Sequence, residues 1–372
     1  MKILQQMPDE FVDCIITSPP YWGLRDYGVR GQIGLEPTLE EYLEKMLAVT
    51  AELKRVLKPM GVMFWNHGDS YGGSNRGAND YRERNGLEMR PRTHYTRQKP
   101  CKDEKILPKC MAMQNYRLVL RMIDEQGWIL RNIIIWHKPN HMPSSVRDRF
   151  TNAYEPVFML VKSKEYWFDL DAVRLPHKWG EWYERPGGTK YTYHPLDGHK
   201  LSLGERVGHP SGKNPGDVWQ IPTQPFPEAH FATFPERLVE PMVKAGCPQW
   251  ICKKCGKVRE RIIEKKLVVH REFNDKGKAY QNVVSGSKEM PAIPRARTGL
   301  EGHNEYYTIG WTDCGCNAGW RPGIVLDPFI GSGTVAKVAT RLRRQWIGIE
   351  LNPEYVEMAY RRLKGTQLEM FT

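Results

Sequence analysis

The sequence lacks any run of about 18 uninterrupted apolar residues, the length a membrane-spanning helix requires, and its start has no signal-peptide pattern. Both absences imply a soluble, cytoplasmic chain. Acidic residues are in deficit: 43 Asp and Glu face 55 Lys and Arg, and the resulting net charge of +12 favours a polyanionic partner. Cysteine is sparse, 8 in 372 residues, and clustered rather than spread in pairs. That pattern excludes a secreted disulfide framework and points to metal. A chain of this length holds one large domain with insertions, or two domains.

What is present begins with Thr17-Ser18-Pro19-Pro20-Tyr21-Trp22. The apolar run Val12-Asp13-Cys14-Ile15-Ile16 ahead of it reads as a buried strand. Two successive prolines donate no backbone hydrogen and push Ser18 out of ladder geometry, so the strand stops there. The result is a rigid strand end with free carbonyls, a small hydroxyl and an exposed aromatic ring. Such an end can hold a planar group by its NH2 edge, with Ser18 and the Pro19 carbonyl accepting hydrogens and Tyr21 or Trp22 stacking on the face. The plainer alternative is a Pro-Pro turn that only ends a strand.

A second stretch weighs on that choice. Gly323-Ile324-Val325-Leu326-Asp327-Pro328-Phe329-Ile330-Gly331-Ser332-Gly333-Thr334 is an apolar run ending in a glycine-rich turn, and helical spacing follows from Val335 to Leu342. A strand, glycine loop and helix in this order let a nucleotide-like cofactor approach the backbone. The next strand, Trp346 to Glu350, ends on an acid placed to bind ribose hydroxyls. The loop is neither G-x-G-x-x-G nor a Walker loop, so dinucleotide and ATP binding gain little support.

Together the two stretches resemble the amino-methyltransferases of DNA, which move a methyl group from S-adenosylmethionine to an exocyclic nitrogen. The catalytic motif precedes the cofactor loop, which resembles the permuted order of the β class. The resemblance implies an α/β, Rossmann-like methyltransferase sheet with helices on both faces and circularly permuted motifs. It assigns Ser18, Pro19, Pro20 and Tyr21 to catalysis, and Asp327, Pro328, Phe329, Gly331, Ser332, Gly333, Thr334 and Glu350 to the cofactor. Phe231, Ala232 and Thr233, just ahead of a helix running to Ala245, should flank its methionine end. Relatives carry a further strand ending in Gly-Asp before the first helix, here Met1 to Met7; its absence leads us to expect an internal methionine start or a lost strand.

In chain order, residues 1–170 hold the catalytic part, interrupted at 70–110 by a basic loop in which Arg76, Arg82, Arg84 and Arg90 alternate with tyrosines. A loop that long is functional or solvated, and DNA contact is the favoured reading. Thr38-Leu39-Glu40-Glu41 is a capping box opening a helix through Tyr42, Met46, Val49, Leu53 and Val56, which Lys58-Pro59-Met60-Gly61 should terminate. His67, after the strand Val62 to Trp65, is a general base or, more simply, a hydrogen-bonding histidine. Helix Tyr116–Gln126, strand Trp128–Trp136 and strand Val157–Val161 follow. Residues 171–225 lose periodicity, and the resemblance makes this loop-rich segment the target-recognition region, with Lys178, Trp179, Arg185, Lys190, Tyr191, His199 and Lys200 as candidates. Residues 226–249 and 321–372 complete the cofactor-binding part.

Residues 250–320 interrupt a run that relatives keep continuous. Cys252-Lys253-Lys254-Cys255-Gly256-Lys257 is a zinc-ribbon half-site, and Cys314-Gly315-Cys316 supplies two more thiols, in C-x-C rather than C-x-x-C spacing. Four cysteines leave no open coordination position, so a structural zinc is expected, against reduced cysteines without metal. Cys247 is assigned to the parent domain.

The acceptor nitrogen lies inside a duplex, so the base must flip out, at a cost of a few kcal/mol. Ser18 and the Pro19 carbonyl would hold its hydrogens as positive charge develops, a contact worth roughly 3 kcal/mol by analogy with oxyanion donors. No cysteine acts as nucleophile, which argues against ring-carbon methylation. Serine in the first motif position resembles the cytosine-N4 enzymes, so cytosine N4 is favoured over adenine N6. Double-stranded DNA is the implied partner, with no membrane; a homodimer and a cognate restriction endonuclease are compatible with the resemblance. Rival readings are an RNA or small-molecule N-methyltransferase, and a catalytically inactive zinc-containing DNA-binding protein.

Overall fold

A computed structural model describes residues 1–72, 105–144, 146–175, 192–193, 200–201, 212–224, 234–270 and 301–368. It divides into two compact units. The first comprises residues 1–174, 214–259 and 314–372; the second comprises 175–213 and 260–313.

The first unit is built on a seven-stranded sheet. In chain order its strands are β1 (Val12–Thr17), β2 (Leu57–Asn66), β3 (Ile129–His137), β4 (Tyr154–Val161), β7 (Val218–Gln220), β12 (Ile324–Asp327) and β13 (Gln345–Gly348). The spatial order is β13-β12-β1-β2-β4-β3-β7. β13, β12, β1 and β2 run parallel, β4 is antiparallel to both neighbours, and β7 is parallel to β3. A mostly parallel sheet needs cover on both faces, which is why β1 is buried at every position.

Side chains alternate between those faces. Val12, Ile15, Met63 and Trp65 enter one core, with α2 (Leu39–Val56) and α3 (Gln114–Gln126) over it. Cys14, Ile16, Val62 and Phe64 enter the other, beneath α4 (Glu236–Gly246) and α5 (Thr334–Arg341). Fully burying one such aliphatic or aromatic side chain stabilises by about 1.5–3 kcal/mol. The short α1 (Lys2–Gln6) contributes Leu4 to the first core, and α6 (Pro353–Leu368) closes the chain.

Local chemistry sets the boundaries. The Thr38 hydroxyl accepts from the Glu41 N–H at 3.3 Å, and Lys54 and Arg55 in the last turn of α2 complement its dipole. Gly127, in the left-handed region at φ 65°, ends α3. α2 ends at Val56, just ahead of Lys58-Pro59-Met60-Gly61, as expected, but no turn intervenes. The chain passes directly into β2, because Leu57 pairs with Val12 and a bulge absorbs the change of register before Cys14 pairs with Val62. Three-residue β7 had no periodic signal; it is an edge strand held by pairing with β3.

Near the amino end of this sheet, β8 (Ile251–Cys252) pairs antiparallel with β11 (Trp320–Arg321). The second unit contains a long antiparallel ribbon of β9 (Arg261–His270) and β10 (Glu301–Trp311), and a small pair, β5 (Thr192–Tyr193) with β6 (Lys200–Leu201). Among the described residues no helix is long and apolar enough to cross a membrane.

Candidate active site

Because β1, β2, β12 and β13 are parallel, their carboxyl ends open on one edge, where ligands bind in open α/β sheets. Ser18 to Tyr21 leave β1 there, His67 to Asp69 leave β2, and Pro328 to Gly333 leave β12. β4 runs the opposite way, so its first residues, Tyr154 and Glu155, arrive at the same edge, and Lys138 follows the last residue of β3.

Ser18 and Tyr21 face one another, with Oγ and Oη 3.3 Å apart. Tyr21 donates from Oη to Glu155 Oε2 at 3.2 Å, and Glu155 Oε1 is paired with the Lys138 ammonium. Lys138 itself stands 4.3 Å from the centroid of the Trp136 ring. Burial, with the Glu155 carboxylate second, pushes the Tyr21 phenol well above its usual range, so it stays neutral and donating. The ring is only partly exposed. It lies 5.2 Å from the His67 ring, and a Cβ at Gly68 would stand 2.7 Å from its Cε2. Trp22, the other aromatic expected to stack, is excluded: it is 4% exposed in the core, with its indole N–H on the Glu36 carbonyl at 2.9 Å.

His67 is fully buried and is a hydrogen-bonding residue. Trp65 Nε1, which can only donate, reaches Nδ1 at 3.3 Å, so the ring proton sits on Nε2 and points at Tyr42 Oη, 3.1 Å away. Tyr42 in turn donates to the Pro20 carbonyl at 2.9 Å. Burial pulls the imidazole pKa down to about 3, which keeps it neutral. The Pro20 carbonyl is thereby occupied, and a relay of three side chains holds the Pro-Pro loop. Asp69 accepts from the N–H groups of Met113 and Gln114 at 2.9 and 3.2 Å, acting as the cap of α3.

On the neighbouring loop, Asp327 is buried and Phe329 N–H donates to its Oδ1 at 3.1 Å. Thr17 Oγ1 donates to the same oxygen at 2.7 Å. Desolvation raises this carboxyl to about 7, with Thr17 and the Phe329 N–H opposing the rise. Gly331, at φ 50°, donates to Glu350 Oε2 at 2.9 Å, while Glu350 Oε1 accepts from Leu351 and Asn352. Gly333, at φ 81°, lies so close to α6 that a Cβ would stand 2.9 Å from Ala359 Cβ. Arg362 of α6 donates to the carbonyl and hydroxyl of Ser332 and to the hydroxyl of Thr334. The loop is thus pinned by Glu350, just past β13, and by Arg362 of α6, and the Ile330 N–H donates to the Ile349 carbonyl at 3.1 Å.

Ser18, Pro19, Pro20, Tyr21, Asp327 to Thr334 and Glu350 therefore come together on one edge. Phe231, Ala232 and Thr233 lie outside the described residues, as do Arg76 to Arg90, Lys178, Trp179, Arg185, Lys190, Tyr191 and His199. Cys252, Cys255, Cys314 and Cys316 assemble elsewhere, their sulfurs all within 4.8 Å of one another. Sequence reading missed Thr17, Tyr42, Lys138, Glu155 and Arg362. The one available signal was a charged residue at each of two strand ends, Lys138 and Glu155, which are unpaired in sequence.

Against known proteins, the family model described as DNA methylase matches residues 12–250 and 321–361, leaving out the segment that contains the two cysteine knuckles. The type II methyltransferase M.Cfr9I of Citrobacter freundii is 32% identical over 98% of this chain and 85% of its own length. The type II methyltransferase M.SmaI of Serratia marcescens is 30% identical over 97% and 87%. Among solved structures, the PvuII DNA methyltransferase (cytosine-N4-specific) shares the fold, with TM-score 0.51 and 18% identity over 96% of this chain and 82% of that one.

Proposed function

This chain belongs to the DNA methylase family, and from that premise we propose that it transfers a methyl group from S-adenosylmethionine to cytosine N4 in double-stranded DNA. The observation that carries the reading is the shared edge, where the Ser18–Tyr21 loop and the Asp327–Gly333 loop are joined through Thr17 and Asp327. A polar loop with a small hydroxyl on one side and a glycine loop with Glu350 on the other is an arrangement for bringing an amino group to a bound sulfonium.

The exocyclic nitrogen is a weak nucleophile, because its lone pair is delocalised into the ring. Ser18 Oγ and the Pro19 carbonyl would accept its hydrogens as positive charge grows there. With S-adenosylmethionine bound, the nitrogen's lone pair would attack the methyl carbon in line, and the S–C bond would break to leave S-adenosylhomocysteine. The methylated nitrogen would then lose one hydrogen to solvent past these acceptors. The Pro20 carbonyl already accepts from Tyr42, which holds the loop in place. Tyr21 lies under the flipped base, its ring fixed by Glu155 and by the close approach of Gly68. Asp327, Pro328, Phe329, Gly331, Ser332, Gly333 and Thr334 line the cofactor, Glu350 holds its ribose, and Phe231 to Thr233 approach its methionine end. S-adenosylmethionine supplies the activated methyl; the protein's contribution is positioning. The recognition region is residues 171–225, and the circular permutation of motifs follows from Ser18 preceding Gly331 in the chain.

A serine at position 18 serves either amino group, and the relatives' names, type II methyltransferases, specify no base, so adenine N6 is the second reading. The test is labelled methyl transfer to unmodified DNA followed by nucleoside mass spectrometry. N4-methylcytosine is expected. N6-methyladenine would keep the family and overturn the base, and label in RNA alone would overturn the substrate.

A further inference from the structure

The four thiols Cys252, Cys255, Cys314 and Cys316 come from chain segments about 60 residues apart, yet their sulfurs lie within 4.8 Å of one another and none forms a disulfide. Each pair sits in a tight knuckle. In the first, Gly256 (φ 72°) donates to the Cys252 carbonyl at 3.1 Å, and the Lys254 N–H points at Cys252 Sγ at 3.4 Å. In the second, Gly315 is left-handed at φ 71°. The pairing of β8 with β11, a Lys253 N–H to Gly319 carbonyl bond of 3.1 Å, and Arg259 stacked 4.3 Å over Trp320 dock the knuckles on each other. Zinc bound by four thiolates at about 2.3 Å needs sulfurs about 3.8 Å apart. The cluster reaches that by closing at most about 1 Å.

Its place in the fold decides its role. Arg321 of β11 reaches Asp13 Oδ2 at 3.4 Å, and Asp13 also receives the Ile324 N–H at 2.9 Å and Lys58 Nζ at 2.5 Å. Asp13 is near the amino end of β1, and Ile324 is the first residue of β12. Thr17 is four residues on, about 13 Å away along an extended strand. Thus the cysteine cluster is linked, through Arg321 and Asp13, to the end of the sheet opposite the Ser18–Tyr21 edge.

We propose that these four cysteines hold one structural zinc ion, and that the centre, through Arg321 and Asp13, sets the register of β12 on β1 that brings Asp327 beside Thr17. This inference does not depend on the methyl-transfer reading. It concerns the metal content and mechanics of the chain whatever its reaction.

The test uses the full chain purified without chelator. Elemental analysis should find about one zinc per chain, lost in Cys255→Ser and in Cys316→Ser but kept in Cys110→Ser. Cobalt substitution should give the intense visible bands of a tetrahedral thiolate site. Protein without zinc that takes up neither zinc nor cobalt would overturn the site. For the mechanical half, Asp13→Asn keeps the metal, and hydrogen exchange is read over residues 321–327. Exchange there should quicken at least about tenfold with metal still bound, with β3 unchanged. Unchanged protection over 321–327, or equal loss of protection in β3, would overturn the register role.

Discussion

Thr17 and Asp327, 310 residues apart in the chain, are joined by a buried hydrogen bond of 2.7 Å from hydroxyl to carboxyl oxygen. The bond connects the last residue of one strand to the last residue of its neighbour, immediately before the two loops that would hold base and cofactor. A buried hydrogen bond contributes about 0.5–1.5 kcal/mol, but leaving one partner unsatisfied costs about 1–3 kcal/mol.

Thr17→Val should therefore destabilise the chain by about 1–3 kcal/mol, and should weaken S-adenosylmethionine binding more than DNA binding. Thr17→Ser, which restores the hydroxyl, should recover most of both. Urea unfolding and calorimetric titration read the two effects; equal weakening of both ligands would count against a loop-joining role.

Two buried groups give opposite pH slopes. Asp327 is raised from an ordinary 3.8 to about 7, so the folded state keeps a proton that the unfolded state releases, and stability falls as pH rises from about 4 to 7. His67 is lowered from 6.5 to about 3, so the unfolded state binds the extra proton, and stability rises with pH from about 3 to 6.5. The two offset one another in the wild type between about pH 4 and 6.5. His67→Gln should expose the fall due to Asp327, and Asp327→Asn should expose the rise due to His67. Denaturant midpoints measured at several pH values check the signs.

Glu155 holds the Tyr21 hydroxyl and is itself held by Lys138. Glu155→Gln should lower kcat by about 10- to 100-fold, the range expected for misplacing a contact group, with little change in S-adenosylmethionine affinity. Tyr21→Ala should lower turnover in the same selective way. A loss of cofactor affinity matching the loss of turnover would refute both roles.

Gly333 combines φ 81° with a Cβ position 2.9 Å from Ala359 Cβ. Gly333→Ala should weaken cofactor binding by about tenfold or more, since left-handed strain alone is about 1–2 kcal/mol. Ala359→Gly in that background should relieve the contact and leave the strain, giving partial recovery by calorimetry. Gly331→Leu, at φ 50°, should abolish cofactor binding.

Local order was readable from the sequence because its causes are local. Prolines at 19 and 20 stop β1, Thr38 caps α2, and glycines at 331 and 333 supply the left-handed turn of the loop. The cysteine spacing likewise announced a four-thiol cluster, since ligand spacing follows from coordination geometry. Where the reading failed, the cause was packing. Trp22 looked exposed beside two prolines, yet its large apolar area gains more in the core than at a strand end, and Gln114 and Glu36 supply its polar partners. The helix through Val56 does end where the proline and glycine follow, but that Leu57 to Gly61 already belong to β2 comes from the pairing of Leu57 with Val12, which no local signal announced.

The sequence by itself thus determined local backbone: the stop of β1 at its prolines, the cap of α2 and the left-handed glycines at 331 and 333. Only the tertiary structure decided which groups are tied together: Thr17 to Asp327, Tyr21 to Glu155, the Pro20 carbonyl to Tyr42 and His67, Arg321 to Asp13. Those partners lie on different strands and helices, and hydrogen bonds across a sheet leave no periodic trace in the chain. They exist because pairing in one sheet lines up the ends of strands along its two edges, where residues far apart in sequence become neighbours.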